Sequence, residues 1–209
     1  MNKKFLLPII SLVVVIAVIL VVFQFSNSEI LEYDSIPISY VETNKDIKTQ
    51  LDIHDISMSS ALKLNGSSIE KYCTFFSDTS VQNEIEYCTS TELLDSGGHY
   101  LGNIHMVGVT DSPKYVIGVI QVDPIISQLD EIKIIYQTII KSTVCSCWED
   151  EKPGGFETVS DWIDAANTHH LEAKKTTSKS EIKGLAQKDL LLEITTNSEG
   201  YLWKFIASN

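Results

Sequence analysis

The amino-acid sequence predicts an α+β fold, with helices packed on one face of an antiparallel sheet and an N-terminal transmembrane helix before it. Three observations predict this. A long uncharged apolar run lies near the start, two pairs of strand-like segments flank turn residues, and two helical patterns lie between those pairs. The chain has 209 residues, so the part after the apolar run is long enough to bury a hydrophobic core.

The apolar run covers residues 5–25 and carries no charge. A helix of about 21 residues crosses a hydrocarbon core ~30 Å thick, so this run predicts a single membrane span. Lys3 and Lys4 precede it, and the first charges after it are acidic, so residues 1–4 are expected in the cytoplasm. The alternative is a secretory signal cleaved near Ser26 and Ser28.

On this topology the rest of the chain lies outside the cell membrane. Residues 26–35 are a short polar connector without a run of proline or glycine, so a long stalk is not expected. Residues 36–209 are then predicted to form a single extracytoplasmic domain that remains close to the membrane.

The first part of this domain has mixed patterns. Residues 36–42, "IPISYVE", predict a first strand, with Pro37 at its beginning or at a sheet edge. Residues 46–56 and 68–76 have helix-like spacing, and residues 80–88 fit either a helix or a strand.

The next part predicts a hairpin followed by a helix. Residues 99–110 and 114–123 are rich in strand-forming residues on either side of a turn. Asp123 and Pro124 resemble an N-cap and a first helical residue, and the sequence to residue 143 repeats apolar residues at steps of three and four. We therefore expect an amphipathic helix over residues 124–143.

The last part predicts a second helix and a second hairpin. Thr158 and Asp161 are spaced as a capping box at the start of a helical pattern that ends near residue 173. Residues 174–181 are polar and are expected to be mobile. Residues 188–208 alternate on both sides of "NSEG", which predicts the hairpin.

The negative charge of the chain argues against partners that are themselves negatively charged. The formal net charge is -12 and the sequence contains no arginine. Binding to phosphate backbones or to anionic membrane surfaces requires clustered basic residues, so we expect no nucleic-acid partner.

The four cysteines are Cys73, Cys88, Cys145 and Cys147. In an exported domain an even number predicts disulfides, and four cysteines allow three connectivities. A bond from Cys73 to Cys88 would leave Cys145 bonded to Cys147, in a small strained ring of the reducible kind. If Cys145 and Cys147 instead bond to the first two cysteines, both bonds are ordinary structural ones.

A functional role for Cys145 and Cys147 is the alternative to a structural one. A C-x-C pair can exchange disulfides or bind Cu(I), which thiolate ligands suit. Three acids follow at residues 149–151 and disfavour a thiolate, so the structural role is preferred. The C-x-x-C spacing of a zinc site is absent from the sequence.

The sequence predicts no catalytic residue, cofactor or metal ligand, because the common catalytic motifs are absent from it. Asn65 begins an N-G-S glycosylation sequon, and an Asn-Gly turn explains the same residues. The preferred hypothesis is a non-catalytic binding or accessory module of the cell envelope whose partner is another envelope protein. The alternative is a membrane-tethered thiol redox or copper-handling protein that uses Cys145 and Cys147.

Overall fold

The computed structural model describes residues 36–208, which form an α+β fold with one antiparallel sheet of eight strands. The helices are α1 Tyr40–Asp52, α2 Ser67–Tyr72, α3 Thr79–Gln82, α4 Leu129–Thr143, α5 Trp148–Glu151 and α6 Val159–Ala173, with a 3-10 turn at Pro153–Gly155. The strands are β1 Ser57–Met58, β2 Leu62–Asn65, β3 Tyr87–Leu94, β4 Tyr100–Gly108, β5 Pro113–Val122, β6 Thr177–Leu185, β7 Lys188–Asn197 and β8 Gly200–Ser208.

The sheet has the strand order β1-β3-β4-β5-β8-β7-β6, and β2 also pairs with β3. Both predicted hairpins are confirmed: β4 pairs with β5, and β7 pairs with β8 around Asn197 and Gly200. The pairing of β5 with β8 joins the two hairpins into one sheet. The 2-residue β1 and the 4-residue β2 are too short for a sequence pattern to reveal them.

Both faces of the sheet are covered to different extents. The three long helices α1, α4 and α6 pack on one face, where the larger cluster of buried side chains lies. A smaller cluster lies on the other face, where Ile69 of α2, Cys73 and Ile85 pack against Val107 and Ile117. The prediction that the helices pack on one face is therefore confirmed for the three long helices. It is wrong for the short helix α2, which packs on the opposite face.

Two predicted boundaries were wrong. Residues 36–42 do not form a strand, because the Ser39 hydroxyl caps α1 by accepting the Glu42 N–H at 3.1 Å. Helix α4 begins at Leu129 and not at Pro124, because the Asp123 carboxylate accepts hydrogen bonds from the N–H and the hydroxyl of Ser127. These bonds hold the segment before α4 in a turn.

The second helix begins as predicted. The Thr158 hydroxyl accepts the Asp161 N–H at 3.1 Å, and the Asp161 carboxylate accepts the Thr158 N–H at 2.9 Å, so the capping box is confirmed. The following polar segment is not a mobile loop over its whole length, since β6 begins at Thr177 and pairs with β7. Its partner β7 is the next strand, joined to it by a two-residue turn at Ala186 and Gln187. The polar composition of residues 174–181 hid this strand, because β propensity depends on the paired and packed context of a side chain.

No helix within residues 36–208 is both long and apolar enough to cross a membrane. The predicted span at residues 5–25, the tail at 1–4 and the connector at 26–35 all lie outside the described residues.

Candidate redox site

The two cysteine pairs are local in sequence. Cys73 lies at disulfide-bonding distance from Cys88, and Cys145 from Cys147, so no described cysteine is free. Of the three connectivities left open by the sequence, this is the one without a long-range bond.

The bond between Cys73 and Cys88 has the properties of a structural one. Its Cα atoms are 6.6 Å apart, and it joins the end of α2 to β3 across 15 positions of sequence. Both cysteines are fully buried in the smaller cluster, with Ile69 and Ile85 beside them. Buried cysteines of this kind have little access to other thiols.

The bond between Cys145 and Cys147 lies in the connection between α4 and α5. Its Cα atoms are 5.2 Å apart. The Cys145 N–H donates to the Ile140 carbonyl at 3.2 Å, and the Cys147 carbonyl accepts the Glu151 N–H at 2.9 Å. The backbone on each side of Ser146 is therefore held by a helix end, while Ser146 itself is exposed.

A cleft of about 350 Å³ opens beside this bond. Its walls come from α4, from residues 145–147, which we call the C-S-C segment, from α5 and from the start of α6. The lining residues are Gln137, Ile140, Lys141, Cys145, Ser146, Trp148, Glu149, Thr158, Val159 and Ser160. Cys145 lines the cleft and is 3% exposed, whereas Cys147 is fully buried and does not line it. The two cysteines therefore differ in their contact with the cleft.

The cleft combines an apolar wall with polar groups. Ile140, Val159 and Trp148 are buried, and Lys141 and Glu149 are exposed at its edge. The Trp148 indole Nε1 is buried and has no hydrogen-bond partner among the described residues. Buried polar groups normally have partners, so this N–H is a donor left unsatisfied among the described residues.

The buried side chain of Lys188 contacts the end of α4, where the chain leads into the C-S-C segment. Lys188 of β7 donates to the Thr143 carbonyl at 2.5 Å and to the Ile36 carbonyl at 2.8 Å. Burial lowers the pKa of Lys188 to about 8. The bond to Thr143 satisfies a carbonyl at the last residue of α4, two positions before Cys145, and so holds the chain where it leaves the helix.

The other predicted site residue is Asn65. It is exposed at the end of β2 and precedes Gly66, whose φ of 54° is the left-handed conformation that glycine adopts readily. The chain turns at Gly66 between β2 and α2. Glycosylation of Asn65 stays a prediction.

The sequence identified Cys145 and Cys147 but missed the residues around them. Gln137, Lys141 and Trp148 have no motif or spacing that points to a site. They meet at the cleft because α4, α5 and α6 pack against one another, which a single-sequence pattern does not encode.

Comparison with protein-family models, with curated proteins and with solved structures finds no match for this chain.

Proposed function

We propose that this protein is a membrane-tethered, extracytoplasmic domain that exchanges disulfides through Cys145 and Cys147. The observation that carries the proposal is the local bond between these two cysteines, with only Cys145 on the wall of a cleft. In a purely structural role, each of these two cysteines would instead bond to Cys73 or Cys88. The sequence alone favoured a binding module, and the cysteine pairing is the reason to prefer the redox function.

The proposed reaction is the oxidation of a substrate dithiol. A substrate thiolate enters the cleft and attacks the Cys145 sulfur, which forms a mixed disulfide and releases Cys147 as the leaving thiolate. The second substrate thiol then attacks the substrate sulfur of the mixed disulfide and releases Cys145. Two electrons pass from the substrate to the pair, and a second partner that carries a disulfide takes them up in the reverse sequence.

The cleft supports this order of attack. Cys145 lines the cleft and Cys147 does not, so a substrate in the cleft meets Cys145 first. Trp148 and Val159 line the cleft and offer an apolar surface to the carbon part of a substrate.

The location outside the membrane is part of the proposal. Disulfides persist in oxidising compartments, so two cysteine pairs at bonding distance support an extracytoplasmic domain. The apolar run at residues 5–25, with Lys3 and Lys4 before it, supports a single span with the N-terminus inside. Protease added to intact cells should then digest the domain, and protection of the domain until the cells are lysed would contradict this orientation.

The non-catalytic binding module is the competing function. It requires a contiguous exposed apolar surface. The large exposed apolar side chains of residues 36–208 belong to several elements, and they are Val41, Ile53, Leu62, Tyr72, Tyr100, Ile125 and Leu171. Val41 and Ile53, for example, lie at the two ends of α1, so these side chains do not favour one binding surface.

The redox function is tested by trapping. In the full chain, Cys147→Ser leaves Cys145 alone in the cleft, and Cys145→Ser leaves Cys147 buried. We expect the Cys147→Ser protein to form a mixed disulfide with glutathione disulfide at least about tenfold faster than the Cys145→Ser protein, because exchange follows access to the sulfur.

Peptide mapping after alkylation identifies the modified cysteine. Cys88→Ser is the matched control, since it leaves Cys73 as a single thiol outside the cleft and should also react slowly. Equal rates for the three variants would remove the basis for the proposed exchange, because they would show that the cleft gives Cys145 no advantage.

A further inference from the structure

A second cavity, of about 290 Å³, lies at the end of α6 and shares no residue with the redox cleft. Two lysines, Lys174 and Lys175, line it together with Thr176, Thr196 and Tyr201. His170, from the last turn of α6, forms its inner wall.

The lining is positively charged in an acidic protein. The formal net charge of the chain is -12, yet the cavity lining contains two ammonium groups and no carboxylate. Neither Lys174 nor Lys175 belongs to an ion pair within residues 36–208, and Glu172, which is close in sequence, does not line the cavity. The carbonyls at the end of α6 attract one cation, but they do not explain why two lysines and three hydroxyl-bearing residues line the same cavity.

A buried histidine holds one of these hydroxyls in place. His170 is 2% exposed, and its Nδ1 and Nε2 lie 2.9 Å from the Ser178 and Thr196 hydroxyl oxygens respectively. The Tyr201 ring meets the imidazole edge to face, with centroids 5.6 Å apart. A neutral imidazole has one donor and one acceptor, so the ring fixes the position of the Thr196 hydroxyl on the cavity wall.

We propose that this cavity binds a tetrahedral oxyanion of the phosphate class. The two ammonium groups supply charge-assisted hydrogen bonds, and the Thr176 and Tyr201 hydroxyls supply further donors around the oxygens. The Thr196 hydroxyl donates as well when the His170 Nε2 carries the ring proton and donates to it. The volume corresponds to about ten water molecules in the liquid, which leaves room for a carbon group beside the phosphate. Leu171 and the Tyr201 ring line the cavity and provide an apolar surface for that group.

The test is calorimetric titration of the full chain, in an uncharged detergent, with inorganic phosphate and with glycerol phosphate. We expect saturable binding at one site per chain. The double variant Lys174→Gln/Lys175→Gln should bind at least about tenfold more weakly, since each lysine contributes a hydrogen bond to a charged group. Tighter binding of glycerol phosphate identifies a phosphate ester as the ligand class, and equal binding identifies the free ion.

The matched control is Lys45→Gln/Lys48→Gln, which removes the same charge from exposed positions of α1. Its affinity should equal that of the wild type. Equal losses in both double variants would indicate general attraction between charges and would overturn the site, as would the absence of saturable binding to the wild type. Far-ultraviolet circular dichroism checks that the variants are folded.

Discussion

The two disulfides should differ in how much they stabilise the fold, and this difference tests the roles assigned to them. We compare Cys73→Ser/Cys88→Ser with Cys145→Ser/Cys147→Ser. Both pairs are buried, so the cost of burying two hydroxyls is similar in the two variants. What differs is the loop that each bond closes, with sequence separations of 15 and 2.

The magnitude follows from the entropy of loop closure in the unfolded chain. The model relation gives roughly 3 kcal/mol for the first loop and roughly 1 kcal/mol for the second. We therefore expect the free energy of unfolding to fall by about 2 kcal/mol more when the bond between Cys73 and Cys88 is removed.

The assay is urea unfolding of a fragment of residues 36–209, followed by tryptophan fluorescence, with linear extrapolation to water. Trp162 and Trp203 are fully buried, so their emission reports loss of the core. An equal or larger loss of unfolding free energy in Cys145→Ser/Cys147→Ser would refute the reasoning. It would show that the bond between Cys145 and Cys147 stabilises the fold at least as much as the bond between Cys73 and Cys88.

Three further predictions concern packing, charge and capping. Gly118→Ala places a methyl group 2.8 Å from the Tyr136 ring, so the free energy of unfolding in urea should fall by about 1–3 kcal/mol. An unchanged unfolding midpoint would contradict the close packing of α4 on β5. Because burial lowers the pKa of Lys188 from 10.5 to about 8, the unfolded chain binds this proton more tightly. The free energy of unfolding should therefore rise from pH 8 to 10.5, by at most about 3 kcal/mol, and a rise that persists in Lys188→Met refutes this assignment. Thr158→Ala removes the helix cap, so it should lower the free energy of unfolding by about 1 kcal/mol and with it the thermal midpoint. Ser160→Ala, in the same turn, should leave the midpoint unchanged. Equal shifts in the two variants would argue against the cap.

The parts of the fold that the sequence predicted are those with strong local patterns. The β4–β5 and β7–β8 hairpins and the start of α6 depend on alternation, turn residues and a capping box, all within a short stretch of chain. The first strand was predicted wrongly because the alternation in residues 36–42 competes with the Ser39 cap. The start of α4 was placed too early because Asp123 caps a turn as readily as a helix.

The candidate site was predicted in part. The unusual spacing of Cys145 and Cys147 points to the segment that the proposed redox site contains. The identity of their partners was left open, since bond formation depends on distances between segments that a sequence does not record. The oxyanion cavity was missed altogether, because Lys174, Thr196 and Tyr201 lie in different elements.

The sequence by itself determined the class of fold, the two hairpins, the long helices α4 and α6 and the excess of negative charge. These follow from side-chain periodicity, from hydrogen bonds between near neighbours and from composition. Only the tertiary structure decided which cysteines pair, which sulfur reaches the cleft and which lysines share a cavity. Those features depend on the packing of α4, α5 and α6 against one another and against the sheet, and such contacts join residues that are far apart in the chain.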